Sequence, residues 1–299
     1  MAATLPYKNM HVIVNPSSGQ EEPVLGNLNR ALADVDLTWD LSITHQDGDG
    51  ARLAREAIEN GSDLICVYGG DGTINDVLQG MHPSKVPLVL LAGGTGNEAA
   101  RALGIPQNIE QALAHLKTGR AYTRRIDIGR ANERLFMLRL DMGKLVEIIN
   151  QQDRSFKKML GRWSYVQAMV ESLSTADSMG VRLKTADATY EREAVSVMVM
   201  NMSYLDESGV ADPTEMLPDD GLFDVLLVKQ GLVEVVKAAT VAMKFVDMQQ
   251  WMETYQCGSF EIETDEPMAL MIDGEDFGET PVKVELLPQA LTLLLPEEE

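Results

Sequence analysis

Positive charge is scarce in this chain. Its 299 residues hold 25 Lys and Arg against 46 Asp and Glu, a formal net charge of −21. That balance argues against broad nucleic-acid binding, because neutralising phosphates takes clustered cations. Cysteine is scarcer still. Cys66 and Cys257 stand far apart without a ligand-like neighbourhood, and Cys66, inside LICVYGG, reads as a small buried hydrophobe. A cytosolic location is the default. No stretch of about 18 uncharged apolar residues is present, so a spanning helix is not expected. The N-terminal MAATLPYKNMHVIVNP has no long apolar region, so secretion is not indicated. Neither GxxxxGK[ST] nor GxGxxG occurs, which removes the P-loop and the usual dinucleotide fingerprint.

What remains is the composition of a soluble globular protein, 45% hydrophobic and 24% charged. The charge is uneven. Residues 1–132 carry 11 basic and 15 acidic residues, a net of −4, leaving 14 and 31, a net of −17, for residues 133–299. A phosphorylated ligand therefore fits the first half better.

That half alternates strand and helix signals. MHVIV (10–14), LTWDLSI (37–43), DLICVY (63–68) and PLVLLA (87–92) read as strands, separated by amphipathic helical stretches. INDVLQGM is expected to open the helix after the third strand. The alternation predicts an α/β domain, a largely parallel sheet with helices on both faces. From about residue 132 the pattern turns to short period-two runs, interrupted by helical stretches around 156–175 and 231–252. A β-rich, antiparallel, sandwich-like C-terminal domain is expected there. We place the domains at 1–131 and 132–299, with a last strand that could fold back towards the first domain.

Three polar glycine-rich turns fall at strand ends: NPSSG (15–19), GGDGT (69–73) and GGTGN (93–97). In open parallel sheets, ligands sit beyond the carboxyl ends of the strands. Glycines let backbone N–H groups approach a phosphate, and the following helix adds its positive end. Asp71 is the informative residue. A carboxylate in a phosphate loop either works through a cation or takes a proton from an attacking hydroxyl, as in phosphoryl transfer, or else it caps the next helix. The loop alone does not choose.

The combination VNPSSG (14–19), GGDGTINDV (69–77), GTGNEAARALGIP (94–106), RIDIG (125–129), LPDDGLFDV (217–225) and IDGE (272–275) resembles the diacylglycerol kinase catalytic-domain family, the group that holds bacterial lipid kinases and the sphingosine and ceramide kinases. GGDGT by itself is shared with NAD kinases; the ordered set is more specific. The resemblance implies an ATP- and Mg²⁺-dependent kinase that transfers the γ-phosphate to a lipid hydroxyl. It also implies a diacylglycerol-like acceptor met transiently at a membrane surface, with a possible homodimer left open and no nucleic-acid partner. ATP would contact Asn15, Pro16, Ser17, Ser18, Gly19, Thr44, Gly69, Gly70, Asp71, Gly72, Thr73, Ile74, Asn75, Asp76, Gly94, Thr95, Gly96 and Asn97. Mg²⁺ would be held by Asp220 with the carbonyls of Leu217 and Leu222, inside an acidic network of Asp71, Glu98, Asp127 and Asp220. Glu275 matches the proton acceptor, with Asp273 beside it and Asp71 competing for the role. Lying two apart, Asp273 and Glu275 would share a face on a strand; Asp-Gly also suits a solvated hairpin turn.

Three departures stand out. Gln20, followed by two acids, sits where relatives often carry a base, and Glu98 replaces the usual aspartate. The glycine-rich stretches expected on the acceptor side read DMGKLVE (141–147) and MNMSYLDESG (200–209). The basic, aromatic RSFKKMLGRWSYV (154–166) is a candidate membrane-facing segment or an ordinary charged helix. Two rival readings are an NAD kinase-like enzyme and a non-catalytic nucleotide- or lipid-binding relative.

Overall fold

The computed structural model describes residues 6–19, 22–143, 177–202, 218–230 and 252–296. Leu217, Gln20, segment 154–166, the two helical stretches up to residue 251, and most of 141–147 and 200–209 lie outside the described residues.

The first half runs β1 (Asn9–Val14), α1 (Val24–Leu32), β2 (Thr38–Ile43), α2 (Asp49–Glu59), β3 (Leu64–Gly69), α3 (Asp71–Met81) and β4 (Leu88–Ala92). Three short helices follow: α4 (Glu98–Ala102), α5 (Ile109–Ala112) and α6 (Ala114–Thr118). β1 pairs in parallel with β2 and β3, and β3 with β4. Every residue of β3 and β4 is buried, which explains why LICVYG and LVLLA are unbroken apolar runs rather than alternating ones. Burying Leu64, Ile65 or Leu88 contributes about 1.5–3 kcal/mol each. α3 starts three residues before the apolar INDVLQGM pattern, since Gly70 is extended and Asp71 is already helical. The glycine turn is thus part of the helix's first turn. α2 crosses α3 where Gly80 meets the Ala51 carbonyl, a contact with no room for a side chain.

The second half is antiparallel. β5 (Ala121–Ala131), β6 (Arg134–Phe136), β7 (Arg139–Gly143), β8 (Met179–Thr185), β9 (Thr189–Ala194), β10 (Ser196–Met200) and β11 (Phe223–Val228) are followed by β12 (Met252–Cys257), β13 (Ser259–Thr264), β14 (Ala269–Ile272), β15 (Glu275–Glu279) and β16 (Val282–Pro296). One sheet has the order β12-β11-β10-β7-β14-β15. The other is continuous through both halves, β2-β1-β3-β4-β16-β13-β8-β9, with β5 and β6 alongside β16. VKVELLP and ALTLLLP, which read as two runs, are one strand. β16 pairs β5 across a register shift between Leu287 and Leu291, where Gln289 has φ 48°. Its far end joins β4 in parallel at Leu293 and Leu88, so the last strand does enter the first sheet. Phe136, Phe223 and Phe260 fill the space between the sheets, with centroids 5.5 and 6.1 Å apart. Gly129 is required below them, because any side chain there would collide with the Phe136 ring.

His115 on α6 is buried, and neither ring nitrogen has a hydrogen-bond partner. Burial lowers its pKa to about 4, and the Ala112 carbonyl, outside hydrogen-bonding geometry, offsets this only in part. The unfolded chain therefore binds a proton from about pH 6.5 downwards while the native state does not. Stability from this residue is full above pH 6.5 and is lost as the pH falls towards 4. Between pH 6.5 and 5 the loss should be about 2 kcal/mol, and it should vanish in His115→Leu. Denaturant unfolding at both pH values measures it; an equal slope in the variant would refute the assignment.

Candidate active site

The three glycine turns meet at the carboxyl ends of β1, β3 and β4. Asn15 Nδ2 donates to Thr73 Oγ1 at 2.8 Å, joining the first turn to the second. The first turn is shaped internally by Ser17 N to Asn15 Oδ1 at 2.9 Å and Ser18 Oγ to Asn15 O at 2.7 Å. A Cβ on Gly93 would lie 2.9 Å from Ser18 Oγ, and one on Gly94 would lie 2.6 Å from Gly70 Cα. The loops therefore touch backbone to backbone, which only glycine permits. Asn97, at φ 50°, closes the third turn: Gly94 N donates to its Oδ1 at 2.8 Å and its Nδ2 donates to Gly94 O at 3.0 Å. Ile74 N to Gly70 O is the first main-chain bond of α3. The preceding N–H groups have no intrahelical acceptor, as at every helix start, and such starts favour anions.

Asp71, at the start of α3, reaches across to α4. Glu98 N and Ala99 N donate to Oδ2 and Oδ1, each at 3.0 Å. It caps a helix, but the one after the next turn rather than its own. Ile74, Asn75 and Asp76 continue α3 beyond the second turn. Ile74 is core, Asp76 Oδ2 accepts from Gly50 N of α2 at 2.8 Å, and Asn75 is 1% exposed. Helical periodicity turns Ile74 and Asn75 inward, whereas Asp76 stays half-buried and is bonded to α2. Thr44 follows β2, its N–H bonded to Val14 O at 2.9 Å, next to the first turn.

The acidic network expected around a metal is not one cluster. Glu98 Oε2 accepts from Arg139 Nη1 at 2.6 Å. Asp127 is buried, with Oδ2 bonded to Gly221 N at 2.8 Å and Oδ1 to Gln289 N at 2.7 Å. It thereby ties the bulge of β16 to the DDG turn. Asp220 is exposed and accepts from Leu222 N at 3.0 Å. Among the described residues no three His, Cys, Asp or Glu stand close enough to hold a metal ion. These carboxylates are spent on backbone N–H groups and an arginine, so as they stand they do not fit an all-protein Mg²⁺ site.

Asp273 and Glu275 part company. Ile272 pairs with Glu275, leaving Asp273 and Gly274 as a two-residue turn with φ 48° and 86°. That is the hairpin turn Asp-Gly favours, yet Asp273 is not solvated. Its Oδ2 accepts from Asn75 Nδ2 at 2.7 Å and Met137 N at 2.9 Å, its Oδ1 from Leu138 N and Arg139 N, both at 2.9 Å. Burial raises its pKa while the four donors pull the other way. The expectation that Asp273 and Glu275 share a strand face is corrected: a turn residue points inward and the first strand residue outward. Asp273 holds α3 against the β6–β7 corner and has no oxygen left to receive a substrate proton. Glu275 lies directly over Gly72, its Oε1 2.3 Å from where a Cβ would stand; its Oε2 accepts from Arg134 Nη2 at 2.7 Å. A carboxylate from the second half therefore stands at the start of α3.

Two recesses lie away from this junction. One of about 430 Å³ is at the amino ends of β1–β3, beside His11, Asp40 and Ser42; the other, of about 780 Å³, lies beside β8, β9 and β13. Neither touches a glycine turn. Residues that sequence reasoning missed are Arg134, Arg139, Asp141 and Gln79. The signal was there for one pair: Arg139 and Asp141 alternate in LRLDMG and so share a face. Gln79, one turn beyond Asn75, accepts from Leu135 N at 3.1 Å and donates to Leu135 O at 2.9 Å, acting as a short strand partner. Asp273→Ala should cost about 3–5 kcal/mol, because a buried charge and its donors lose each other. Chemical denaturation measures this; a loss below 1 kcal/mol would show the carboxylate to be dispensable to the fold.

A family model for the diacylglycerol kinase catalytic domain matches residues 9–131. A second, for the YegS C-terminal NAD kinase beta sandwich-like domain, matches residues 146–295. The chain is 29% identical to a diacylglycerol kinase of Bacillus subtilis over 298 residues, covering 97% of both chains. It is 28% identical to a diacylglycerol kinase of Staphylococcus epidermidis, covering 97% of this chain and 93% of that one. The crystal structure of a diacylglycerol kinase from Bacillus anthracis superposes with a TM-score of 0.74 at 27% identity over 98% of each chain. With both halves matched in order and glycine turns facing a second-half carboxylate, the chain belongs to the diacylglycerol kinase catalytic-domain family.

Proposed function

We propose that this protein is an ATP-dependent kinase for a lipid alcohol, with Glu275 as the proton acceptor. The observation that carries the reading is the approach of Glu275 to Gly72, which sets a carboxylate beside the anion-binding start of α3. The glycine turns 15–19, 69–73 and 93–97 would hold the nucleotide phosphates through backbone N–H groups and helix ends. An incoming hydroxyl oxygen forms a bond to the terminal phosphorus, the bond to the departing diphosphate breaks, and the hydroxyl proton passes to Glu275. A primary alcohol is far too weak an acid to lose that proton unaided near neutral pH, hence the need for a carboxylate. Glu275, which shares one oxygen with Arg134, suits the role better than Asp71 or Asp273, both of whose oxygens accept main-chain N–H groups.

Mg²⁺ ordinarily keeps several waters and is held by one or two carboxylates plus the phosphates themselves. Its part in this proposal rests on nucleotide chemistry, with Asp220 as the candidate side chain, and no step is assigned to it. The acceptor would be met at a membrane surface. No helix among the described residues is long and apolar enough to cross a membrane.

Incubating the protein with radiolabelled ATP and a total lipid extract, beside NAD as a competing acceptor, should label a lipid. Glu275→Gln should lower kcat about 10²–10⁴-fold, with the unfolding midpoint little changed, since the side chain is 48% exposed. Label on NAD, or full activity in the variant, would overturn the reading.

A further inference from the structure

The contacts around the glycine turns close into a circuit. Asp71 at the head of α3 bonds the main chain of Glu98 and Ala99. The Glu98 side chain reaches Arg139 Nη1 at 2.6 Å. Arg139 N donates to Asp273 Oδ1 at 2.9 Å, and Asp273 N donates back to Arg139 O at 3.0 Å. Asp273 then accepts from Asn75, one turn along α3 from Asp71, at 2.7 Å. Within this circuit, the Glu98–Arg139 pair is the link made between two charged side chains, and it joins the first half to the second.

Arg139 is held from both sides. Its Nε donates to Asp141 Oδ2 at 2.9 Å, and Asp141 is 3% exposed. Two carboxylates on different edges of a planar guanidinium fix its orientation as well as its place, which a lysine ammonium cannot do. Burial works against charge on Arg139, but Asp141 and Glu98 more than offset it. Glu98 carries one methylene more than the aspartate usual in the family motif, and it is this longer arm that meets the guanidinium.

We propose that Arg139 is a positioning residue: by pinning Glu98 to β7 it sets the distance between the phosphate-side turns and Glu275. This rests on the kinase reading given above. The pin acts on geometry. Misplacement of reacting groups by about 1 Å can cost around 100-fold in rate.

The test is steady-state phosphorylation of the lipid extract by wild type, Arg139→Lys, Arg139→Met, Glu98→Gln and the double variant Glu98→Gln/Arg139→Met, with hydrogen exchange on the same proteins. Arg139→Lys keeps the charge but loses the fork. Its kcat should fall about 10- to 100-fold, with KM for ATP changed less than about threefold. The double variant should be no worse than Arg139→Met alone. Exchange should quicken together at Glu98–Ala99 and at Met137–Arg139 in Arg139→Met; should that variant not fold, Arg139→Lys gives the same readout. Unchanged kcat with only a lowered unfolding midpoint, additive effects of the two substitutions, or faster exchange confined to β7 would overturn the proposal. A wild type inert towards every lipid ends the kinase reading instead, and the exchange result then decides the pin by itself.

Discussion

The buried carboxylate of Asp273 is the constraint on which the site depends. It accepts four hydrogen bonds, three from consecutive main-chain N–H groups of residues 137–139 and one from Asn75 of α3. Leaving that many buried donors unmet would cost several kcal/mol, so the turn it occupies is tightly determined. Because Asp273 and Gly274 make a two-residue turn, the next residue emerges at a fixed place and direction. That residue is Glu275. Its position over Gly72 is thus set by the buried Asp273 carboxylate.

The same economy appears on the other side of the junction. Asp71, Asp76 and Asp127 each accept main-chain N–H groups of segments distant in sequence. Bonded to helix N-termini and bulges, these carboxylates stiffen the neighbouring segments and have part of their charge offset. Positive potential at the turns comes from helix starts and glycine N–H groups more than from lysine or arginine. Arg134 and Arg139 are committed to Glu275 and to Glu98 with Asp141. A chain of net charge −21 can therefore offer an anion site without a basic surface.

Continuity of the long sheet matters for the same reason. β16 starts beside β13 and ends beside β4, so the two halves share main-chain hydrogen bonds. A sliding movement of one half past the other would break a ladder. Lobe geometry is held by sheet, by the Asp273 turn and by the Glu98–Arg139 pair together.

Much was legible in the amino-acid sequence, because the signals are local. Unbroken apolar runs before Gly-Gly fix buried parallel strands, period-two runs fix the antiparallel half, and the ordered motifs fix the family. Sequence also marks Gly93–Asn97 as a turn, whereas of GGDGT (69–73) Gly69 ends β3, Gly70 is the junction and Asp71–Thr73 open α3. What it could not decide is which carboxylate faces what. Asp273 and Glu275 differ by two positions and one methylene, yet one is sealed by donors from residues 75 and 137–139 and the other stands open beside Gly72. Asp71 and Glu98, which the family resemblance sets in one acidic network, are bonded to a helix start and a guanidinium in space. A carboxylate's role depends on its hydrogen-bond partners, and partners 27 to 198 residues away are assigned only when the chain folds.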